Sequence, residues 1–280
     1  MLENITFNSP NPGPAVLVLG AVHGNEPAGT LACRKLAEEL HAGKRALLRG
    51  KLTLLPVCNP AAAARNVRQT EENLNRVICL TDKPQSYEQK LANEIAPQIA
   101  AADFTLDLHS SHCPGDLPFA FLDYPDPLAE KIISRIPVGY VLTGWPEIYQ
   151  ANQTIKDYST LWWARQNNRA AVTVECGYHF APGASDVAYR TVVSTLQCLG
   201  MLAGTAETVP QQKIKMVSYQ LKEKEGRLAE NIRHFGPLSA GQPLAAYDDG
   251  TELFAPADSV MIMPNPDAAV GTEWYYLGTK

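Results

Sequence analysis

His23 and Glu26 stand three residues apart in Gly20-Ala21-Val22-His23-Gly24-Asn25-Glu26-Pro27, a glycine-punctuated turn that follows an apolar run, so one cation could reach both side chains. Taken alone, His-x-x-Glu is common, and a single histidine at a strand end is more often a hydrogen-bonded structural residue than a ligand. Asp107-Leu108-His109 changes that balance, because it closes another apolar run and the strand period of two puts Asp107 and His109 on one side. His109 then offers a third ligand. Two histidines and one glutamate leave the fourth position of a tetrahedral zinc ion open to water, and cobalt or manganese would accept the same donors. Asp107 can orient a ligand from behind, or serve as a plain cap or surface carboxylate.

A third run ends at Val174-Glu175-Cys176-Gly177 and again delivers a carboxylate. A water that attacks an amide must lose a proton and the departing amine must gain one; Glu175 beside the metal could do both, where the bland alternative is a loop salt bridge. The segment 59–76 carries Arg68, Asn75 and Arg76. Arginine forks grip carboxylates and can polarise a carbonyl beside a metal, whereas the structural alternative is a solvated basic loop paired with Glu71 and Glu72.

Four apolar, β-branched runs would position these groups: 15–22, 51–58, 103–110 and 170–177. Between and after them, 28–44, 86–102 and 184–204 have apolar residues at helical spacing. Strands alternating with helices imply an α/β fold with a mainly parallel sheet flanked by helices. In such a sheet the carboxyl ends of the strands share one edge, so His23, Glu26 and His109 can meet there. Beyond Pro210 the pattern changes to short alternations with hairpin signals at Asp248-Asp249-Gly250 and Pro264-Asn265-Pro266. The division expected is a hydrolase domain over 1–210 and a small β-rich C-terminal domain over 211–280.

Composition narrows the function classes. The chain has 280 residues, 45% hydrophobic and 19% charged, enough for one large domain and a small appendage. A net charge of −5 without a Lys/Arg cluster argues against nucleic acid as a partner. No secretory pattern opens the sequence and no apolar run approaches the roughly 20 residues of a membrane span, so a cytoplasmic location without membrane partners is expected by default. Six singly spread cysteines, with no CxxC pair, read as reduced thiols.

His-Gly-Asn-Glu at 23–26, Asn-Pro at 59–60, Asn-Leu-Asn-Arg at 73–76, Asp-Leu-His at 107–109 and Glu-Cys-Gly at 175–177 together resemble the succinylglutamate desuccinylase and aspartoacylase family, in order and at compatible spacing. The resemblance implies a zinc-carboxypeptidase-like, phosphorylase/hydrolase-like fold and hydrolysis of an N-acyl acidic amino acid of the N-acetylaspartate or N-succinylglutamate type. It further implies zinc on His23, Glu26 and His109, Glu175 as general base and acid, and Arg68 facing the scissile carbonyl. Asn75, Arg76 and Arg165 would bind substrate carboxylate, with Arg169 as a neighbour able to replace Arg165. The chain departs from the family at Asn73, where an acidic residue is frequent. Tyr275 or Tyr276 could reach the pocket from the tail, although core packing is their default, and His112 and Cys113 could line it. The alternative activity is a zinc carboxypeptidase acting on short peptides; a third reading, a metal-regulated binding module, keeps the site without turnover.

Overall fold

The computed structural model describes residues 2–113, 115–150 and 158–280. In chain order the first half gives β1 (Ile5–Asn8), β2 (Ala15–Gly20), α1 (Pro27–His41), β3 (Lys51–Leu55), α2 (Pro60–Ala64), α3 (Tyr87–Ala101) and β4 (Phe104–Ser111). Then follow β5 (Phe119–Phe121), α4 (Pro127–Ile133), β6 (Tyr140–Thr143), α5 (Trp145–Gln150), α6 (Thr160–Gln166), β7 (Ala170–Tyr178) and α7 (Ala184–Cys198). The remainder is strand: β8 (Gln212–Leu221), β9 (Gly226–Leu228), β10 (Pro237–Leu238), β11 (Pro243–Tyr247), β12 (Glu252–Phe254), β13 (Ser259–Ile262) and β14 (Glu273–Thr279).

An eleven-stranded sheet runs β1-β3-β2-β4-β7-β5-β6-β8-β14-β13-β10, and a three-stranded sheet runs β12-β11-β9. The central strands β3, β2, β4 and β7 pair parallel. They are mostly apolar and β-branched because both faces are covered, and polar side chains interrupt them chiefly toward their carboxyl ends. The period of two sorts them: Val16 and Val18 face a core shared with α1, α4 and α7, while Leu17 and Leu19 face one shared with α3. Ser86 starts α3 by accepting the Gln89 N–H at 3.1 Å, the cap its side chain is suited to make.

The sheet is parallel at its centre, as expected, and mixed toward its flanks. β5 enters antiparallel to β7, and β14, β13 and β10 pair antiparallel in turn. The sheet also passes residue 210 unbroken, since β8 pairs parallel with β6 on one side and antiparallel with β14 on the other. The stretch after 210 is therefore β-rich, but four of its strands extend the large sheet. The expected turn at Asp248-Asp249-Gly250 joins β11 to β12, with Gly250 at φ +87° and Tyr247 N–H donating to the Thr251 carbonyl at 2.8 Å. All six cysteines are unpaired. Among the described residues no helix is long and apolar enough to cross a membrane.

Candidate active site

β2 stops at Gly20 and the chain turns through Ala21, a non-glycine residue at φ 44°, before reaching His23. Left-handed backbone at a side chain with a Cβ is costly and persists where the surroundings enforce it. Gly24 is needed for a different reason: a Cβ there would lie 2.2 Å from the backbone of Ala62, so the turn carrying His23 packs directly on α2. Glu26 follows at the start of α1, ahead of Pro27 in the first turn.

These turns bring His23 and Glu26 against His109 at the end of β4, with all three buried. His23 Nδ1 is 2.8 Å from Glu26 Oε1, His109 Nδ1 is 2.9 Å from Glu26 Oε2, and the two Nδ1 atoms are 3.1 Å apart. Behind each ring stands an acceptor. Asn73 Oδ1 is 3.0 Å from His23 Nε2, and Asp107 Oδ2 is 2.9 Å from His109 Nε2, although that ring N–H is poorly aimed for a hydrogen bond. Acceptors behind Nε2 favour the tautomer that leaves Nδ1 as an inward lone pair. Two lone pairs and a carboxylate aimed at one point repel unless positive charge lies among them, so the donor set fits a divalent cation. Without one, burial and the Arg68 charge push His23 down to about 4. Burial would lower His109 too, but Asp107 and Glu26 outweigh it and hold His109 well above its usual value.

Glu175 sits beside His109 in the β4–β7 register, and its Oε2 is buried with no hydrogen-bond partner among the described residues. Burial, followed by the negative charge of Glu26, pushes its carboxyl up to about 8. A carboxyl so placed can hold a proton or give it up near neutral pH. Arg68 Nη1 lies 3.0 Å from Glu26 Oε1, and the Arg68 backbone carbonyl accepts the Gly24 N–H at 3.1 Å, which ties the arginine to the His23 turn. These residues share the wall of a cavity of about 560 Å³ with Asn75 and Arg76.

Asn73 has two partners: Oδ1 faces His23 Nε2 and accepts the Asn75 N–H at 2.9 Å. Asn75 Oδ1 accepts the Thr160 N–H at 2.9 Å, leaving its amide NH₂ as the group that can donate to a substrate. Thr160 Oγ1 donates to Asp107 Oδ2 at 2.5 Å, so Asn75 and His109 are linked through Thr160 and Asp107. Glu88, in the first turn of α3 and fully buried, anchors the same loop. It accepts from Asn59 Nδ2, from Thr70 N and Oγ1, and from the backbone N–H groups of Glu71 and Glu72, at 2.7–3.2 Å. Burial would raise its pKa, but this ring of donors lowers it instead.

Arg165, expected among the substrate residues, lies elsewhere. α6 begins with Thr160 at the site and runs away from it, so Arg165 lines a separate cavity of about 230 Å³ with Asn168, Arg169 and Ala170, where β7 begins. Arg169 lines the same separate cavity and pairs with Asp103 at 3.1 Å. From the tail, Tyr276 lines the main cavity and Tyr275 packs into the core around Trp274. His112 and Cys113 both line the cavity. Sequence reasoning missed Glu88, Thr160 and Glu273, none of which stands in a motif. It also missed Ser110, whose N–H donates to Glu26 Oε2 at 3.1 Å and whose hydroxyl is 2.8 Å from His179 Nδ1.

Residues 12–199 match the profile of the succinylglutamate desuccinylase/aspartoacylase catalytic domain. The succinylglutamate desuccinylase of Idiomarina loihiensis is 26% identical over 93% of this chain and 81% of its own length. An N-acyl-aromatic-L-amino acid amidohydrolase of Xenopus laevis is 29% identical over 36% of this chain and 35% of its own. In structure, a succinylglutamate desuccinylase/aspartoacylase of Rhodobacter sphaeroides superposes with a TM-score of 0.80 at 18% identity, covering 100% of this chain and 89% of that one. The ectoine utilization protein EutE of Ruegeria pomeroyi, in a product-bound structure, gives 0.81 at 19% identity, over 99% and 88%. A match over most of the chain, in the fold and strand-end arrangement described above, places this protein in the succinylglutamate desuccinylase/aspartoacylase family.

Proposed function

We propose that this chain is a zinc-dependent amidohydrolase that removes the acyl group from an N-acyl amino acid. The observation that carries the reading is the convergence of His23, Glu26 and His109 in a cavity that also holds Glu175, Arg68, Asn75 and Arg76. A divalent cation on this donor set, when bound, acidifies a water and polarises an acyl carbonyl. Glu175 Oε2 takes the proton of the attacking water and delivers it to the departing amine nitrogen. Arg68, held 3.0 Å from Glu26, donates to the oxygen on which negative charge develops. The Asn75 amide and the Arg76 guanidinium hold a carboxylate of the amino acid, which fixes the scissile bond over Glu175.

The sequence led to an acidic amino acid, of the N-acetylaspartate or N-succinylglutamate type. Arg76 supports one carboxylate; the second loses its expected partner with Arg165 outside the cavity. A carboxypeptidase acting on short peptides is disfavoured because Met263, Asn265, Thr272, Glu273 and Tyr276 from the C-terminal strands and loops close one side of the cavity.

The test is amine release from a panel of N-acyl amino acids and unblocked dipeptides, with and without a zinc chelator. Chelator-sensitive release from the acylated members supports the reading, faster cleavage of the dipeptides replaces it with the peptidase, and stoichiometric zinc with no turnover of any member leaves a binding role.

A further inference from the structure

α6 opens against the site. Ser159 caps it by accepting the Trp162 N–H at 3.1 Å, and Thr160, its first residue, is fully buried. Both groups with which Thr160 can donate are used there: its N–H meets Asn75 Oδ1 at 2.9 Å, and its hydroxyl meets Asp107 Oδ2 at 2.5 Å. Two residues earlier, the Tyr158 carbonyl accepts the Ile78 N–H at 2.8 Å. The turn that carries Asn75 and the start of α6 are thus fastened together at two points.

Each Thr160 bond settles an orientation. A side-chain amide can show a neighbour either its oxygen or its NH₂, and a backbone N–H selects the oxygen. The Thr160 N–H therefore leaves the Asn75 NH₂ for the cavity that Asn75 lines. A carboxylate turns about its last torsion unless one oxygen is held, and Thr160 holds Asp107 Oδ2, the oxygen that stands 2.9 Å behind His109 Nε2. A group behind an imidazole sets the ring's orientation and its basicity at the other nitrogen, here Nδ1, which faces Glu26 and His23. Asp107, Thr160 and His109 are buried together, where such bonds are stronger than in water.

Resting on the metal-dependent hydrolysis inferred above, we propose that Thr160 is a positioning residue: its hydroxyl fixes Asp107 behind His109 and its N–H fixes the Asn75 amide toward substrate, so one residue holds the metal side and the substrate side of the site in register. Substitution separates the two arms. Thr160→Val removes the hydroxyl and keeps the N–H and the shape, whereas Thr160→Ser keeps both donors.

The experiment measures zinc affinity of the full chain by competition with a chelator, and kcat and KM at saturating zinc for the N-acetyl amino acid that wild type turns over fastest. In Thr160→Val, zinc affinity and kcat each fall about tenfold while KM is unchanged, and Thr160→Ser restores both. Thr160→Ala shows the same two losses and serves where Thr160→Val does not fold. An unchanged zinc affinity in folded Thr160→Val or Thr160→Ala, a loss confined to KM, or a Thr160→Ser chain as weak as Thr160→Val reduces Thr160 to packing and overturns the inference while leaving the hydrolase reading intact. A zinc-loaded wild type that turns over no acylated amino acid overturns the hydrolase reading, and the zinc affinities alone then decide the role of the hydroxyl.

Discussion

In the proposed hydrolysis Glu175 and Asn73 have different tasks and fail in distinguishable ways. Glu175→Gln keeps the shape of the side chain and removes its ability to carry a proton, so kcat falls by about 10²–10⁴ while zinc stoichiometry by metal analysis is unchanged. Near-normal turnover with zinc bound would remove Glu175 from the role of base. Asn73 touches no substrate in this reading; its Oδ1 faces His23 Nε2 and caps the turn to Asn75. Asn73→Ala frees that ring to rotate or change tautomer, and zinc affinity, measured by competition with a chelator, drops by roughly 10–100-fold. An unchanged affinity would show that the His23 ring is held by Glu26 alone.

At the scale of the element, the loop from Asn59 to Arg76 is ordered by a single buried carboxylate. Glu88 gathers five donors, three of them backbone N–H groups between Thr70 and Glu72, and so pins the stretch that carries Arg68, Asn75 and Arg76 to the start of α3. Glu88→Gln points an NH₂ at donors, leaves at least one of them unpaired in the interior, and costs about 1–3 kcal/mol in denaturant unfolding. Because the loop carries Arg68 and Asn73 as well as Asn75 and Arg76, the proposed mechanism expects both a higher KM and a lower kcat in Glu88→Gln; unchanged kinetics would mean that the loop keeps its shape without Glu88. A pH dependence follows with a definite sign. The folded pKa of Glu88 is lowered, so its contribution is present above the unfolded carboxyl value of about 4.3 and is lost as pH falls through the folded value. Glu71 and Glu72 beside it titrate in the same range, so the measurement is the difference between wild type and Glu88→Gln, which narrows as pH falls below about 4.

At the scale of the whole molecule, the C-terminal strands belong to the body of the fold. Ile214 and Met216 of β8 and Tyr276 of β14 complete the core around Phe119, Leu142 and Tyr149, and β6 loses one of its two neighbours without β8. A chain ending at residue 210 exposes that core and the parallel edge of β6 together. It is expected to aggregate or to bind a hydrophobic dye, with no cooperative thermal transition. A soluble 1–210 fragment that melts cooperatively and binds zinc would establish an independent domain instead.

The sequence by itself determined the centre of this molecule: β2, β3, β4 and β7 are long, doubly buried runs, and a parallel sheet forces their carboxyl ends onto one edge, so His23, Glu26, His109 and Glu175 had only one place to meet. The flanks were illegible because β5 and β6 have three and four residues, too few to show a period, and their direction depends on which partner they find. Arg165 was misplaced for a related reason: its spacing from Glu175 is fixed along the chain, but the direction of α6 decides which end of the sheet it reaches. Glu88, Thr160 and Glu273 take their roles from neighbours 16 to 124 residues away, so only the folded chain assigns them.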